Sequence, residues 1–212
     1  MYHHVEDYTQ AKTEGHGSLT VNTVDFKSQM QDLVKRGFTT ISMSDLISFF
    51  DQSKSLPAKS ILLTFDDGYK DFGTDAYPIL RDLNLKATIF TPTGLMNNPD
   101  YLSWATLMNI ASDRNILFAN HTWSHHSVAA SKEVVEKEIS LADGQLKEKN
   151  LNIPKVFAYP YGNPAFGAEK YLSSLNYKLA FTTRSGTTLC KGQRFELPRV
   201  RVGNAPLASY GI

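Results

Sequence analysis

The feature of this chain that most limits its possible folds is an alternation of short apolar runs, rich in β-forming residues, with segments of helical periodicity. This alternation is typical of repeated βα units, in which helices join the parallel strands of one sheet. The predicted strands are MYHHV, FTTIS, SILLTF, KATIF, NILFAN, KVFAY, KLAFTT and PRVRV. About eight strands in this order predict an α/β fold, as a barrel or a strongly curved sheet. Reactive groups in such folds gather at the carboxyl ends of the strands.

Helix boundaries between these strands can also be predicted. One helix follows Thr23 and ends at Gly37, and the longest begins at Ser131. Pro78 lies in an otherwise helical stretch, so that helix should begin late or kink. We find no internal repeat, no low-complexity tract and no linker rich in Gly or Ser, and 42% of the residues are hydrophobic. A single domain over residues 1–212 is therefore expected.

Charge and cysteine content exclude several classes of function. The formal net charge of +1 comes from balanced acidic and basic residues, which argues against a nucleic-acid partner or an anionic membrane. Cys190 is the single cysteine, so any metal must be held by histidine and carboxylate groups. No apolar run reaches the roughly 20 residues needed to cross a bilayer. The first residues lack the pattern of a signal peptide, and an export segment is expected to be absent from this chain.

Two adjacent acids, Asp66 and Asp67, follow the apolar strand SILLTF directly. Two carboxylates in a partly desolvated position repel each other unless a cation or a shared proton compensates them. Gly68 fits a tight turn that would aim both side chains into one cleft. The alternative is ordinary turn chemistry, since Asp-Gly is common in loops. Asp71 and Asp75 follow at helical spacing and are expected on a solvated face.

The second polar cluster, His121 and His125, also follows an apolar strand. If the chain turns helically after that strand, a spacing of four residues puts both imidazoles on one face and within reach of one ion. A histidine pair at this spacing also occurs by chance. Together with the two acids, however, the pair completes a His, His, carboxylate set, which suits zinc or a related divalent metal. His126 is left over and is expected to face solvent.

These residues match the motifs of a known family. The runs TFDDG at 64–68, HTWSH at 121–125 and YPYG at 159–162 resemble those of the polysaccharide deacetylases, also called NodB-like or carbohydrate esterase family 4 enzymes. The resemblance extends in the same order from Tyr2 to the late ELPRVRV. It implies a distorted (β/α) barrel of about seven to eight parallel strands. It also implies hydrolysis of acetyl groups on an N-acetylated amino-sugar polymer of the poly-N-acetylglucosamine, peptidoglycan or chitin type.

The resemblance also implies a role for each motif residue. Asp66 would be the general base, while Asp67, His121 and His125 would bind the metal, which is zinc or, as alternatives, cobalt, nickel or manganese. A bound divalent ion would activate water and polarise the acetyl carbonyl. The backbone N–H of Tyr161 would donate to the oxyanion that forms.

Two departures from the family pattern affect these roles. The third motif, from Ala158 to Gly162, lacks the arginine that usually orients the catalytic aspartate. Arg199 in LPRVRV is the candidate replacement, since poly-N-acetylglucosamine deacetylases of biofilms also combine YPYG with a late Pro-Arg; the alternative is a structural ion-pair residue. No histidine follows His126, so the leaving amine must take its proton from water or from His3 or His4.

Other interpretations remain open at this point. The same apparatus could remove O-acetyl groups from a xylan-type polymer, or the chain could be a carbohydrate-binding domain with weakened catalysis. A glycosidase is disfavoured, because its two carboxylates must lie about 5 Å or more apart across the bond. The expected partner is a polysaccharide or oligosaccharide outside the cytoplasm. Aromatic residues near the expected mouth could stack on sugar rings or pack in the core: they are Tyr69, Tyr101, Trp104, Trp123 and Tyr161.

Overall fold

The structure is a computed structural model that describes residues 1–127, 131–164 and 167–212. Its strands are β1 (His4–Glu6), β2 (Thr20–Asn22), β3 (Thr39–Thr40), β4 (Ser60–Ile61), β5 (Thr64–Phe65), β6 (Ala87–Thr91), β7 (Ile116–Asn120), β8 (Val156–Ala158) and β9 (Leu179–Phe181). Its helices are α1 (Tyr8–Glu14), α2 (Thr23–Lys35), α3 (Met43–Gln52), α4 (Tyr77–Asp82), α5 (Trp104–Ile110), α6 (Lys132–Glu148) and α7 (Ala168–Ser174).

The main sheet is a curled, five-stranded parallel sheet in the order β5-β6-β7-β8-β9. Two further parallel pairs, β1-β2 and β3-β4, form separate two-stranded sheets. The α/β fold class and the parallel sheet are therefore as predicted. In the part of the chain that the structure describes, however, the strands form these three sheets and not one continuous barrel of seven or eight strands.

Irregular segments extend the main sheet beyond both of its edges. At one edge the amide of Tyr2 donates to the carbonyl of Thr64 at 2.9 Å, and the amide of Asp66 donates to the carbonyl of Tyr2 at 3.0 Å. At the other edge the amide of Thr182 donates to the carbonyl of Leu197 at 2.9 Å. Backbone hydrogen bonds thus bring the first and last parts of the chain alongside the sheet.

The predicted strand PRVRV is wrong as a regular strand. Residues 198–202, all of which the structure describes, carry no strand assignment. Pro198 has no N–H and cannot continue the ladder from Leu197. The segment still makes isolated bonds, since the amino terminus of Met1 donates to the carbonyl of Val200 at 2.8 Å and the amide of Val202 donates to the carbonyl of Met1 at 3.1 Å.

The helix predictions agree well with the structure. Helix α2 is capped by Asn22, one residue before the predicted start, because the Asn22 side chain accepts from the amide of Val24. Helix α6 is the longest, and Ser131 occupies its N-cap position as predicted. Pro78 lies in the first turn of α4, directly after a π-helical turn at Phe72–Ala76; the segment is helical before the proline, so the helix changes its winding there and does not begin late. Strand β2 was not predicted.

Apolar side chains fill the space between the sheet and the helices and fix the carboxyl ends of the strands. Phe65 and Phe72 pack edge to face, and Phe26 and Phe65 do the same from α2. Phe118, at the centre of β7, is 1% exposed. The segments that follow β5, β7 and β8 consequently emerge from a rigid core at one edge of the sheet. Within the described ranges, no helix is both long and apolar enough to cross a membrane.

Candidate metal centre

The two adjacent acids after β5 face different partners. Asp67 has a φ of 73° and Gly68 a φ of 66°, so two consecutive residues adopt the left-handed conformation directly after the strand. This turn separates the Asp66 carboxylate from the Asp67 carboxylate. The side chains are nearly inaccessible, since Asp66 is 3% and Asp67 5% exposed. Each charge therefore needs a partner within the protein.

Asp67 lies against both predicted histidines. Its Oδ1 is 3.3 Å from Nε2 of His121 and 3.0 Å from Nε2 of His125. The three donor atoms all lie within 4.8 Å of one another. The structure thus brings together the three residues that the sequence singles out as metal ligands.

The donor set fits a divalent cation. Nδ1 of His121 lies 2.8 Å from the carbonyl oxygen of Ala158 and must donate to it, which leaves the lone pair of Nε2 facing Asp67. Oδ1 of Asp67 is buried and has no hydrogen-bond donor among the described residues. When His121 is neutral these are two acceptors that face each other, and they repel unless a proton or a cation lies between them. Two imidazoles and one carboxylate are a typical zinc set, with further positions open to water.

Asp67 and the two histidines stabilise each other's charged forms. Burial disfavours the charged forms of Asp67 and His121, but the attraction between the Asp67 carboxylate and the protonated imidazoles outweighs this effect. The pKa of Asp67 is therefore lowered well below its usual value, and the pKa of His121 is raised. The carboxylate is thus negative at neutral pH, as a metal ligand must be.

The loop that carries the histidines is not the predicted helical turn. Residues 121–125, all described, have no helical assignment, and Thr122 and His125 have φ values of 70° and 58°. The side chain of Asn120 accepts from the amide of Thr122 at 2.8 Å, which bends the chain as β7 ends. The spacing of four is thus met by a tight loop, because left-handed residues turn the chain as sharply as a helix would.

Glu138 holds this loop from α6 and was missed by the sequence analysis. Its Oε2 accepts from the amides of Trp123 at 3.1 Å and Ser124 at 2.8 Å, and its Oε1 accepts from the Ser124 hydroxyl at 2.8 Å. Glu138 is buried on the inner face of the helix. A charged residue on a buried helix face, within the apolar pattern of α6, was the signal that could have revealed it.

Asp66 forms a buried, two-point ion pair with Arg199. The guanidinium donates to Oδ1 at 2.7 Å and to Oδ2 at 2.6 Å, and its Nε donates to the carbonyl of Thr182 at 2.9 Å. The rings of Phe90 and Phe181 lie 5.6 and 6.0 Å from the guanidinium carbon. Arg199 thus takes the place beside Asp66 that the missing arginine of the third motif would otherwise fill.

This ion pair determines the charge of Asp66. Burial alone would raise the pKa of Asp66, but the charge and the hydrogen bonds of Arg199 act in the opposite direction. The net effect lowers the pKa below its usual value, so Asp66 is ionised at neutral pH.

Tyr161 lies at the rim of the site. Its ring centroid is 4.8 Å from that of His125, and its side chain is 64% exposed. Its φ of 61° and the φ of 75° at Gly162 make a tight turn. A Cβ on Gly162 would lie 1.9 Å from Oγ1 of Thr183, so the turn is packed directly against the segment after β9.

The two histidines at the chain start occupy different places. His3 is buried within electrostatic range of both acids, and burial outweighs their attraction and lowers its pKa to about 4. His4 lies further away: its Nδ1 is 2.6 Å from Oδ2 of Asp71 and its ring stacks on Tyr69. The expectation that Asp71 faces solvent is therefore wrong, since its side chain is only 12% exposed.

The aromatic residues divide between rim and core. Tyr69 and Tyr101 lie together at the rim, with ring centroids 5.3 Å apart. Trp123 lies over Gly94, where a Cβ would come within 2.5 Å of its indole nitrogen. Trp104 packs against the core and carries the ammonium of Lys149 over its ring.

Comparison with known proteins gives consistent matches. Residues 53–180 match the family model described as polysaccharide deacetylase. The poly-β-1,6-N-acetyl-D-glucosamine N-deacetylase of Escherichia coli is 25% identical over 97% of this chain, but the chain spans only 36% of that protein. The enzyme of the same name from Staphylococcus epidermidis is 22% identical, over 88% of this chain and 69% of its own length.

A solved structure matches nearly the whole chain. The Streptococcus pyogenes deacetylase PplD, in complex with acetate, is 27% identical and superimposes with a TM-score of 0.89 over 99% of this chain and 95% of its own. IcaB from Ammonifex degensii, at 20% identity and a TM-score of 0.81, shares the fold.

Proposed function

The chain belongs to the polysaccharide deacetylase family, and from this we propose that it hydrolyses N-acetyl groups on a poly-N-acetylglucosamine polymer at a divalent metal centre. The names of the E. coli and S. epidermidis relatives support this class of polymer. By analogy with enzymes that act on such polymers, we place its activity outside the cytoplasm. The S. pyogenes enzyme was solved with acetate, which is the product that this reaction releases.

One observation carries the proposal: two adjacent carboxylates have separate partners. Asp67 faces His121 and His125, while Asp66 faces Arg199. A metal ligand and a proton acceptor must be different groups, since a carboxylate that shares its lone pairs with a cation is a poor base. The turn at Asp67 and Gly68 therefore supports one ligand and one base from neighbouring positions.

Asp67, His121 and His125 would hold the cation, most simply zinc. When bound, such an ion lowers the pKa of water and polarises the acetyl carbonyl. The hydrogen bond from His121 to the carbonyl of Ala158 orients its ring toward the ligand position.

Asp66 would take the proton from the attacking water. Arg199 keeps Asp66 ionised and therefore able to accept, but it also makes the carboxylate a weak base. The water must accordingly be made more acidic, which is why base and cation act as a pair. Arg199 acts through Asp66 and is a positioning residue.

The leaving amine would regain its proton from Asp66. His3 is held neutral at pH 7 by its lowered pKa of about 4, and His4 is paired with Asp71 away from the site. Having taken a proton from water, Asp66 is the acid in place to return it to the nitrogen as the C–N bond breaks. The backbone N–H of Tyr161 would donate to the oxyanion, in a turn that Thr183 holds rigid.

The test is a product assay on matched substrates. Zinc-loaded protein is incubated with a β-1,6-linked N-acetylglucosamine oligosaccharide and, separately, with acetylated xylan, and acetate and new reducing ends are measured in both. We expect acetate from the first substrate with no new reducing ends. Acetate from xylan alone would favour an O-acetyl esterase. Reducing ends without acetate would favour a glycosidase, and tight oligosaccharide binding without acetate would indicate a binding domain.

A further inference from the structure

A second group of metal-ligating side chains lies outside the site described above. We call it the second histidine cluster; it consists of His4 and Glu6 from β1, His16 from the loop before β2, and Asp71. The cluster lines a cavity of about 700 Å³. The ring of Tyr69, stacked on His4 with centroids 3.6 Å apart, separates it from Asp67.

The donor atoms of the cluster converge. Oε1 of Glu6 lies 3.4 Å from Nδ1 of His4 and 3.1 Å from Nδ1 of His16. The ligand atoms of these three residues lie within 4.8 Å of one another. Oδ2 of Asp71 is hydrogen-bonded to Nδ1 of His4 at 2.6 Å and adds a fourth ligand atom, an oxygen, on the same side; a bound cation would replace the proton that the two atoms share. The side chains are largely withdrawn from solvent, with 8% of His4 and 24% of His16 exposed.

The hydrogen bonds around His16 leave its inner nitrogen without a donor. Its Nε2 lies 3.1 Å from Oε2 of Glu14 and donates to it, so Nδ1 carries the lone pair. The hydroxyl of Thr20, 3.4 Å from that Nδ1, already donates to the carbonyl of His16. Oε1 of Glu6 is buried and has no hydrogen-bond donor in the described part of the chain. Nδ1 of His16 and Oε1 of Glu6 thus face each other as two acceptors.

The surrounding charge favours a cation. The cavity wall carries one lysine, Lys70, against six carboxylates: Glu6, Asp7, Glu14, Asp71, Asp75 and Asp100. A cavity wall with an excess of negative charge attracts cations, and a bound divalent ion would relieve the repulsion between the carboxylates.

We propose that His4, Glu6 and His16, with Asp71, form a second binding site for a divalent transition metal. Two imidazoles with carboxylate oxygens suit zinc, cobalt or manganese better than magnesium or calcium, which prefer oxygen ligands alone. The occupied site would hold His4 in place beneath Tyr69. Tyr69 borders Asp67. The second ion would therefore lie next to the first metal site, with the ring of Tyr69 between them, and would have a structural role.

Zinc stoichiometry tests the proposal directly. Metal-stripped protein is titrated with zinc chloride, and bound zinc is measured by elemental analysis after gel filtration. We expect two ions per wild-type chain, one per chain in the His16→Gln and Glu6→Gln variants, and one in His125→Ala. The double variant His16→Gln/His125→Ala should bind none. The exposed His126 offers a matched control, since His126→Gln removes a histidine outside both clusters and should keep two ions.

Two results would overturn the proposal. A single ion in wild type, lost in His125→Ala, would mean that the second histidine cluster is a proton-sharing network of histidines and acids. A second ion that persists in both His16→Gln and Glu6→Gln would place that ion elsewhere. Glu6→Gln preserves side-chain shape, so the test stands even if His16→Gln folds poorly. Because stoichiometry is measured without substrate, the outcome is independent of the deacetylase assay.

Discussion

At the scale of single residues, neighbours in sequence can have unrelated chemistry. Asp66 and Asp67 are adjacent and equally buried, yet one pairs with a permanent cation and the other with two imidazoles. The backbone turn, rather than side-chain identity, produces this difference. Substitutions of Asp66 and of Asp67 should therefore have different effects on the protein.

The first prediction concerns the proposed base. Asp66→Asn should lower kcat by about 10²- to 10⁴-fold, the usual contribution of general acid–base catalysis, because the amide cannot accept the proton. Zinc content should stay at the wild-type value, since Asp66 is not a ligand. Asp67→Asn is the matched comparison and should lose metal as well as turnover. Normal acetate release by Asp66→Asn would refute the base assignment.

The second prediction concerns Arg199. Removing one partner of a buried ion pair leaves an uncompensated charge, so Arg199→Met should lower the free energy of unfolding by about 3–5 kcal/mol. The control is Arg184→Met, which breaks a pair with Glu196 at an exposed site and should cost about 1 kcal/mol or less. Urea denaturation measures both. Equal losses would mean that the Asp66 pair contributes no more than a surface contact.

The same variant should change the pH dependence of activity and stability. Arg199 lowers the pKa of Asp66, so its loss should move the acidic limb of the kcat/KM profile to higher pH. The lowered pKa stabilises the folded protein above the unfolded value of about 4, and this contribution is lost as pH falls through the folded pKa. The variant should therefore lose less stability on acidification than wild type. An unshifted acidic limb would show that Arg199 does not act through Asp66.

At the scale of elements, two turns set the geometry of the site. Strands β5 and β7 bring the proposed metal ligands to one edge of the sheet, and the left-handed residues after each strand orient their side chains. Glu138 fixes the second turn by accepting three hydrogen bonds from it. The turn at Tyr161 and Gly162 completes the rim.

Glu138→Gln should weaken zinc binding about 10- to 100-fold, as the loss of groups that orient metal ligands usually does. Glu138 holds residues 123 and 124, which lie between the two proposed histidine ligands. The amide has one acceptor oxygen and cannot satisfy all three donors. Glu148→Gln, at the exposed end of the same helix, is the control and should leave affinity unchanged. Competition with a zinc chelator dye measures both constants. Wild-type affinity in Glu138→Gln would show that the loop holds its shape alone.

Gly162→Ala should reduce kcat strongly while zinc binding is retained. The added methyl would collide with Thr183, and the φ of 75° disfavours any side chain. Gly144, inside α6 with open space where a Cβ would lie, supplies the control: Gly144→Ala should stabilise the protein by about 0.5–1 kcal/mol and leave kcat intact. Steady-state acetate release separates the two variants. An unaffected kcat in Gly162→Ala would show that the backbone N–H of Tyr161 does not bind the oxyanion.

At the scale of the whole molecule, the sequence predicts local features such as strands and turns better than it predicts contacts between distant residues. Apolar runs that end in polar residues locate β7 and the acids and histidines after the strands. The run SILLTF, predicted as one strand, is divided in the structure into β4 and β5, which belong to different sheets. The exact loop at His121–His125 is not predictable from spacing, because it depends on Asn120 and Glu138. The sheet edges are not predictable from local patterns either, since their bonds join Tyr2 to Thr64 and Asp66 at one edge and Thr182 to Leu197 at the other.

Contacts between distant residues explain what the sequence leaves open. Arg199 and Asp66 are 133 positions apart, and no local periodicity joins them; only the resemblance to a family singles out Arg199. The second histidine cluster likewise depends on the pairing of β1 with β2, which brings His16 beside His4. Strand β2 is three residues long and has too little pattern to be predicted.

We propose that one cation, held by Asp67, His121 and His125, enables Asp66 to work as a base. The most direct test measures acetate release from a β-1,6-linked N-acetylglucosamine oligosaccharide by chelator-stripped protein, before and after zinc is added back. We predict no release by the stripped protein and full recovery with zinc, with no recovery in His121→Ala or His125→Ala. Undiminished release by the stripped protein would show that the reaction does not depend on a metal at this site.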